Sequence, residues 1–315
     1  MKKVGLLFIS SIIIIMFVVQ NLIKQKSVVS PLPDFLMFSK NNQVKTLELW
    51  FPSSAHAENI NEKIEKPEIS AKSALAYDLT TNKIIFEKNP KEKLPMASLT
   101  KIMTSIIVLE NYKREEKFKV RKENLVGENT MGLSSGEVLT VEELLYGLIL
   151  PSGNDAAEVL SSNYMGGRKN FIKAMNNKAR SIGALDTSFT NPTGLEGDGD
   201  QYSTVFDLLV ITKYAMQFPL FRKAASTFEY NIEYSQDHKS FYLQNETNLL
   251  TSYPGVLGVK TGYTPEAGFC LVTYLDYEGH EIIGIILGSE KRREEMKQLL
   301  DYSLNLQGII PPAHE

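Results

Sequence analysis

Alternation between apolar and polar residues near both ends of the chain predicts β-hairpins. In each hairpin, two short runs with a period of two flank a tight turn, as expected for half-buried strands. The predicted strands are residues 73–78 and 83–87 around Thr81-Asn82, and residues 268–275 and 281–287 around Glu278-Gly279. A further strand is predicted from Gly258, just before the second hairpin. Both ends of the folded region are therefore rich in strands.

Between the hairpins, apolar residues recur at helical spacing. The segment after Ser98 is apolar on nearly every side, which predicts a helix buried at the centre of a domain. The other predicted helices are 141–150, which Pro151 ends, 155–160, 203–218 with Ser203 as its cap, and 292–304. Residues 188–199 are predicted to form an irregular loop. We therefore expect a mixed α and β fold, with one antiparallel sheet assembled from distant segments and an all-helical subdomain.

The first residues form a nearly unbroken apolar run that follows Met1-Lys2-Lys3. The run covers residues 4–19 and extends to Ile23, about the length that crosses a bilayer. It is either a cleaved signal peptide or an uncleaved membrane anchor. No small-x-small cleavage site follows closely, since Ala55-His56-Ala57 lies far downstream, whereas Lys24 and Lys26 weaken the charge asymmetry of an anchor. We expect an N-terminally anchored protein outside the cytoplasm, with secretion after signal cleavage as the alternative.

The apolar run is followed by a change in composition that predicts four regions. Residues 1–24 are the anchor or signal segment, and 25–66, with several prolines and no sustained period, are a linker in which 47–51 could form a local element. Residues 67–308 are the folded domain. Residues 309–315 are a tail.

Composition excludes several classes of function. The 315 residues are 43% hydrophobic, enough for a sizeable core, and carry a net charge of −3, so the chain has no basic footprint for nucleic acid. The four histidines are scattered at 56, 238, 280 and 314, without the spacing of metal ligands, and we expect neither a metal nor another cofactor. The single cysteine, Cys270, lies between apolar neighbours and is predicted to be a buried strand residue.

The candidate chemistry begins with Ser98 and Lys101, three positions apart at the predicted start of the central helix, just after Pro95. This spacing places both side chains on one helix face, so that the amine can reach the hydroxyl. Free N–H groups at a helix start also favour an anion beside Ser98. Alone, the pair would fit an ordinary polar helix face. Ser152-Gly153-Asn154 and Lys260-Thr261-Gly262 follow in the order typical of acyl-transferring serine enzymes.

These motifs resemble those of the low-molecular-mass penicillin-binding proteins, specifically the serine D-alanyl-D-alanine carboxypeptidases. The resemblance covers about residues 67–307 and includes Ser-Gly-Asn as the middle motif. The matching segments are Pro95-Met96-Ala97-Ser98-Leu99-Thr100-Lys101, Leu150-Pro151-Ser152-Gly153-Asn154-Asp155-Ala156-Ala157, Asn191-Pro192-x-Gly194-Leu195, Tyr202-Ser203-Thr204 and Gly258-Val259-Lys260-Thr261-Gly262-Tyr263-Thr264. The fold implied is β-lactamase-like, with the site between the sheet and the helical subdomain. Many members continue into a β-rich domain and a C-terminal anchor; here the N-terminal run would be the sole tether.

The resemblance implies a role for each catalytic motif residue. Ser98 would attack the penultimate D-alanine of a peptidoglycan stem peptide, forming an acyl-enzyme and releasing the terminal D-alanine, and water would then deacylate it. Lys101 would be the base, neutral beside a charged Lys260. Ser152 would relay a proton to the leaving amine, and Asn154 would hydrogen-bond the substrate amide.

The strand motif would bind the substrate as an added β-strand. Lys260 and Thr261 would hold the terminal carboxylate, and Gly262 would let the two backbones approach. The backbone amides of Ser98 and Tyr263 would form the oxyanion hole. Arg292 falls where the family often keeps an arginine for the substrate carboxylate, although a solvated helix charge is the other interpretation.

Other activities remain open on the same motifs. A DD-endopeptidase or transpeptidase differs only in which amine leaves or attacks. A class A β-lactamase requires a deacylating glutamate in a Glu-x-x-Leu-Asn context, which Glu246-Thr247-Asn248-Leu249-Leu250 approaches without matching. A non-catalytic wall-binding scaffold is the remaining alternative. The expected partners are stem peptides, β-lactams as covalent inhibitors and the membrane.

Overall fold

Strands from both ends of the chain pair in one five-stranded antiparallel sheet, as predicted. The computed structural model describes residues 64–314. The sheet has the order β2-β1-β9-β8-β7 and is formed by β1 (Ser73–Asp78), β2 (Lys83–Lys88), β7 (Val256–Thr264), β8 (Gly268–Tyr277) and β9 (His280–Ser289). The predicted hairpins are β1–β2 and β8–β9, and β7 is an edge strand.

The helices and short strands occupy the chain between β2 and β7, except for the last helix. The helices are α1 (Thr100–Asn111), α2 (Val141–Ile149), α3 (Asn154–Ser162), α4 (Gly167–Ser181), α5 (Val205–Ala215), α6 (Pro219–Ser226), α7 (Leu249–Ser252) and α8 (Arg292–Leu306). Two small antiparallel ribbons pair β3 (Lys117–Lys119) with β4 (Val138–Thr140) and β5 (Glu229–Ile232) with β6 (Phe241–Gln244). The sequence patterns predicted neither ribbon, because each strand is only three or four residues long.

The sheet is buried on both faces by two hydrophobic cores. Successive side chains of a strand point to opposite faces, so Leu75 and Tyr77 of β1 pack into the core shared with the helical subdomain, whereas Ala74 and Ala76 face α8. Helix α1 lies inside the first core, and all of its residues from Thr100 to Val108 are buried. The mixed α and β class, with an antiparallel sheet flanked by helices, is confirmed.

The structure refines one predicted helix start and corrects another. Ser98 lies in a 3-10 turn, Ala97–Leu99, that leads directly into α1, rather than in the regular helix. The predicted cap Ser203 is wrong: Thr204 caps α5, its hydroxyl accepting a hydrogen bond from the Asp207 amide at 3.0 Å. The backbone amide of Ser203 instead donates a hydrogen bond to the Leu94 carbonyl, outside the helix.

The predicted membrane segment 1–24 and most of the predicted linker 25–66, including 47–51, lie outside the described residues. Within 64–314, no helix combines the length and the apolar character needed to cross a bilayer. The described residues all belong to one compact unit, and residues 64–72 that precede β1 contain neither helix nor strand.

Candidate active site

The amine of Lys101 is the centre of the site. Lys101 is fully buried, and its Nζ lies 2.9 Å from Ser98 Oγ, 2.7 Å from Asn154 Oδ1 and 2.7 Å from the Thr193 carbonyl oxygen. The contact with Ser98 is the one that the three-residue spacing predicts. Asn154 and Thr193 come from segments 53 and 92 residues away along the chain.

Burial lowers the pKa of Lys101 well below its ordinary value, because desolvation penalises the ammonium form. The positive charge of Lys260 lowers this pKa further, while Glu246, Asp155 and Glu158 act in the opposite direction. The predicted influence of Lys260 is therefore present, but burial is the larger cause. The lowered pKa favours the neutral amine, the form that can accept a proton from the adjacent Ser98 hydroxyl.

The second motif lies on the turn between α2 and α3, as predicted, with Asn154 as the first residue of α3. Ser152 is buried with a φ of 60°, and its Oγ has no hydrogen-bond partner among the described residues. Asn154 Nδ2 donates to the Glu128 carbonyl at 3.0 Å. The turn thus presents one hydroxyl that is available to a ligand and one amide that is already oriented.

Asp155 holds a neighbouring loop against this turn. Its buried carboxylate accepts hydrogen bonds from the amides of Met131, Gly132 and Leu133, at 3.0, 3.1 and 3.0 Å. Hydrogen bonds from N–H donors to a carboxylate are stronger than those between neutral groups. This anchor fixes the loop that carries Glu128 and Asn129 into the cleft.

Residues 191–194 pack behind the nucleophile. The Asn191 side chain accepts hydrogen bonds from the amides of Thr193 and Gly194, at 3.2 and 2.7 Å, and so aims the Thr193 carbonyl at Lys101. Gly194 has a φ of 91°, and a Cβ there would lie 2.0 Å from the Ala97 carbonyl oxygen. Only glycine fits this backbone at that distance.

Strand β7 forms the opposite wall. Lys260 is buried, and burial lowers its pKa to about 8, with Glu246 raising it and Arg292 lowering it further. A Cβ on Gly262 would lie 3.1 Å from the Ser98 amide nitrogen, so glycine lets β7 lie close to the turn that carries the nucleophile. Tyr263 is exposed, and its ring centroid lies 4.8 Å from that of Phe269.

Arg292, at the start of α8, also lies in the cleft. Its Nη1 donates to the Gly262 carbonyl at 2.9 Å, and its guanidinium lies 5.1 Å from the centroid of the Phe269 ring. The side chain is therefore tied to the active strand rather than fully solvated. Seven of the nine predicted site residues line one cleft. The buried Lys101 contacts two of these seven, Ser98 and Asn154, and Lys260 is buried in β7 next to Thr261. The assignment of the Ser98 and Tyr263 amides to an oxyanion hole stays a prediction.

The cleft has a volume of about 1020 Å³ and includes residues that the sequence patterns did not select. Glu246 Oε2 accepts a hydrogen bond from Thr261 Oγ1 at 3.2 Å, and its Oε1 accepts one from Asn129 Nδ2 at 3.2 Å. Phe269 and the Thr193 carbonyl were also missed. The Asn191-Pro192-x-Gly194 segment is a usable signal for Thr193. The sequence points to Glu246 only through the comparison with the Glu-x-x-Leu-Asn motif of class A β-lactamases.

Cys270 is buried in β8, as predicted, and burial raises the pKa of its thiol to about 11.

Comparisons with known proteins agree with this geometry. A family model described as D-alanyl-D-alanine carboxypeptidase, peptidase S11, matches residues 60–291. The chain is 34% identical over 266 residues to the D-alanyl-D-alanine carboxypeptidase DacF of Bacillus subtilis, covering 82% of this chain and 68% of the relative. It is 35% identical over 212 residues to a D-alanyl-D-alanine endopeptidase of Escherichia coli, covering 66% of this chain and 67% of the relative.

The fold has a counterpart among solved structures. The crystal structure of the Streptomyces K15 DD-transpeptidase superimposes with a TM-score of 0.73 at 33% sequence identity, covering 77% of this chain and all of the other chain. Relatives of this chain thus carry names for three outcomes of acyl transfer, namely carboxypeptidase, endopeptidase and transpeptidase.

Replacing Asp155 with asparagine tests the loop anchor. We expect the free energy of unfolding to fall by about 2 kcal/mol, because the charged acceptor of several amide hydrogen bonds is lost and the new NH₂ group faces N–H donors. Urea unfolding followed by circular dichroism measures this change. The exposed Asp200→Asn control should change stability by less than about 0.5 kcal/mol, and an equal effect of the two variants would contradict the anchor.

Proposed function

The chain belongs to the peptidase S11 family, the D-alanyl-D-alanine carboxypeptidases, and from this premise we propose that it removes the terminal D-alanine from peptidoglycan stem peptides through an acyl-enzyme on Ser98. Membership makes it a serine peptidase of the penicillin-binding kind. The observation that carries the proposal is the buried Lys101 amine 2.9 Å from the Ser98 hydroxyl. A serine hydroxyl becomes a useful nucleophile only when a base takes its proton.

Acylation begins with proton transfer from Ser98 to the neutral Lys101 amine as Ser98 Oγ attacks the carbonyl carbon of the penultimate D-alanine. Asn154 and the Thr193 carbonyl hold the amine in place, so little reorganisation is needed as it becomes charged. The proton then passes through Ser152, whose buried hydroxyl has no partner in residues 64–314, to the leaving amine. Water deacylates the enzyme by the reverse sequence of proton transfers.

The substrate is proposed to lie along the edge strand β7, with its terminal carboxylate held by Lys260 and Thr261. Arg292 adds a second positive charge at this end of the cleft and holds the Gly262 carbonyl. The amides of Ser98 and Tyr263 would donate to the developing oxyanion, each contributing about 3 kcal/mol of transition-state stabilisation. The contact between Gly262 and the Ser98 amide supports this assignment, because it brings the two backbones together.

The proposed alternative is hydrolysis of a cross-linked stem peptide, or transfer of the acyl group from Ser98 to the amine of a second stem peptide, by the same residues. The endopeptidase and transpeptidase relatives favour keeping this alternative, since the attacking and leaving groups differ while the acyl-enzyme is shared. A β-lactam would acylate Ser98 in the same way and, as a slowly released acyl group, would act as an inhibitor.

The first test is the release of free D-alanine from diacetyl-Lys-D-Ala-D-Ala by the full chain. We expect turnover, and we expect Ser98→Ala to abolish both turnover and covalent labelling by a fluorescent penicillin. Stable labelling without D-alanine release would instead indicate the endopeptidase or transpeptidase. Absence of both would favour the non-catalytic scaffold.

Lys101→Arg provides the matched test of the base in the same assay. Arginine keeps the positive charge and cannot deprotonate, so labelling of Ser98 should fall by at least about a hundredfold. In Lys101→Met, which removes the charge and the base together, labelling of Ser98 should fall by the same factor. Thermal unfolding of both variants checks that the fold survives, and labelling retained by a folded variant would refute Lys101 as the base.

The pKa of Lys260, about 8, predicts a specific pH dependence. This lysine must be charged to hold the substrate carboxylate, so binding is present below pH 8 and is lost as pH rises through that value. We expect KM to rise about tenfold per pH unit above pH 8, with a smaller change in kcat. In Lys260→Arg, where the charge persists, KM should stay constant up to pH 10. If KM of this variant rose with pH as it does in wild type, a group other than Lys260 would cause the pH dependence.

We also propose that residues 1–24 anchor the enzyme to the extracytoplasmic face of the cell membrane. The support is the apolar run after a basic N-terminus without a nearby cleavage site. Full-length protein should sediment with membranes after high-salt washing, and a variant without residues 1–24, exported by a foreign cleavable signal, should not. A wild-type product that is soluble and begins after residue 24 would establish signal cleavage instead.

A further inference from the structure

Glu246 introduces a negative charge where the proposed chemistry requires positive charge. It follows β6 in the chain, and its amide donates to the Leu150 carbonyl at 3.1 Å, which fixes its backbone beside the turn of the second motif. Its carboxylate bridges the cleft from Thr261 Oγ1 to Asn129 Nδ2, at 3.2 Å each. The side chain is exposed to the cleft that also contains Ser98.

The contact with Thr261 matters because Thr261 is one of the groups proposed to bind the terminal carboxylate of the substrate. In the described structure this hydroxyl already donates to a carboxylate, that of Glu246. The substrate carboxylate and the Glu246 carboxylate carry the same charge and require the same donor. The two carboxylates cannot both lie at the Thr261 hydroxyl without repelling each other. This repulsion is substantial for two anions about 4 Å apart near a protein surface.

The charge of Glu246 also reaches the neighbouring cations. It counteracts the lowering of the pKa of both Lys260 and Arg292, and it is the only carboxylate that does so for either group within the described residues. Two cations that would attract a substrate anion are thus partly neutralised by one carboxylate of the protein. Glu128 and Glu196 line the same cleft without this effect.

A place exists for the Glu246 side chain when it is displaced. Glu246 also lines an adjoining cavity of about 460 Å³ whose wall includes Asn248, Ser252 and Arg293. Because this cavity is lined mostly by polar side chains, a carboxylate that leaves Thr261 would not enter an apolar environment there.

We propose that Glu246 is a specificity-determining residue: it occupies the carboxylate subsite of the free enzyme as an internal competitor and selects against substrates that end in a free carboxylate. This proposal rests on the proposed function of the same site. Substrates that present an uncharged group at that position, such as an amide-blocked peptide, do not have to displace it. Glu246 thereby lowers the efficiency of the enzyme on peptides with a free terminal carboxylate relative to amide-blocked ones.

The test compares diacetyl-Lys-D-Ala-D-Ala with its C-terminal amide, using wild type and Glu246→Gln. Both peptides yield diacetyl-Lys-D-Ala, so chromatography of this one product measures both reactions. Glutamine keeps one oxygen that can accept from Thr261, removes the charge, and replaces the acceptor of Asn129 Nδ2 with an NH₂ group. We expect kcat/KM for the acid to rise about tenfold, through a lower KM, and kcat/KM for the amide to change less than twofold.

Glu196→Gln is the matched control. It removes the same charge from the same cleft, but the Glu196 carboxylate accepts a hydrogen bond from the Glu266 amide rather than from Thr261. The acid-to-amide ratio of this variant should stay within about twofold of wild type. An unchanged ratio in Glu246→Gln, or an equal change in both variants, would overturn the proposal.

A second measurement separates this proposal from the proposed function. If wild type hydrolyses neither peptide, the carboxypeptidase assignment fails, and the acylation of Ser98 by benzylpenicillin, which carries a carboxylate, becomes the deciding measurement. Acylation about tenfold faster in Glu246→Gln, with no acceleration in Glu196→Gln, would support the internal competitor. Equal acylation rates in wild type and Glu246→Gln would refute it.

Discussion

The structure depends on satisfying one buried amine. Lys101 lies in a helix that is buried on almost every side, and an amine in such a place must find polar partners. Its partners come from the nucleophile turn, from the start of α3 and from the loop at Thr193. Moving any of these segments would leave a buried polar atom unpaired, so the geometry needed for acyl transfer is also the geometry that the fold requires.

The sheet supplies the second constraint. Pairing with β8 fixes β7, and β7 in turn presents Gly262 to the Ser98 amide. Because both faces of the sheet are buried, one against the helical subdomain and one against α8, the edge strand cannot shift without disturbing a core. The cleft is therefore bounded by elements that large packing contacts hold in place, as expected for a preorganised site.

Burial shifts the pKa values of the two lysines of the site by different amounts. Burial lowers the pKa of both, but that of Lys101 falls well below the ordinary value, whereas that of Lys260 remains about 8 with Glu246 as a counter-charge. When two like groups have different pKa values, the one with the lower pKa can act as the base and the other can hold an anion through its charge. The same counter-charge opposes an anionic substrate, which links the acid–base chemistry to the choice of substrate.

The sequence by itself determined the main hairpins, the central buried helix and the three catalytic motifs, because periodicity and short motif spacing are local properties of the chain. The three-residue spacing brings Ser98 and Lys101 together across the 3-10 turn and the start of α1. Only the tertiary structure brought in the Thr193 carbonyl, Asn129 and Glu246, and only it decided that Thr204 rather than Ser203 caps α5. Backbone carbonyls look alike in every sequence, and the effect of a charge depends on burial and on neighbours distant in the chain; packing, not local pattern, therefore settles these features.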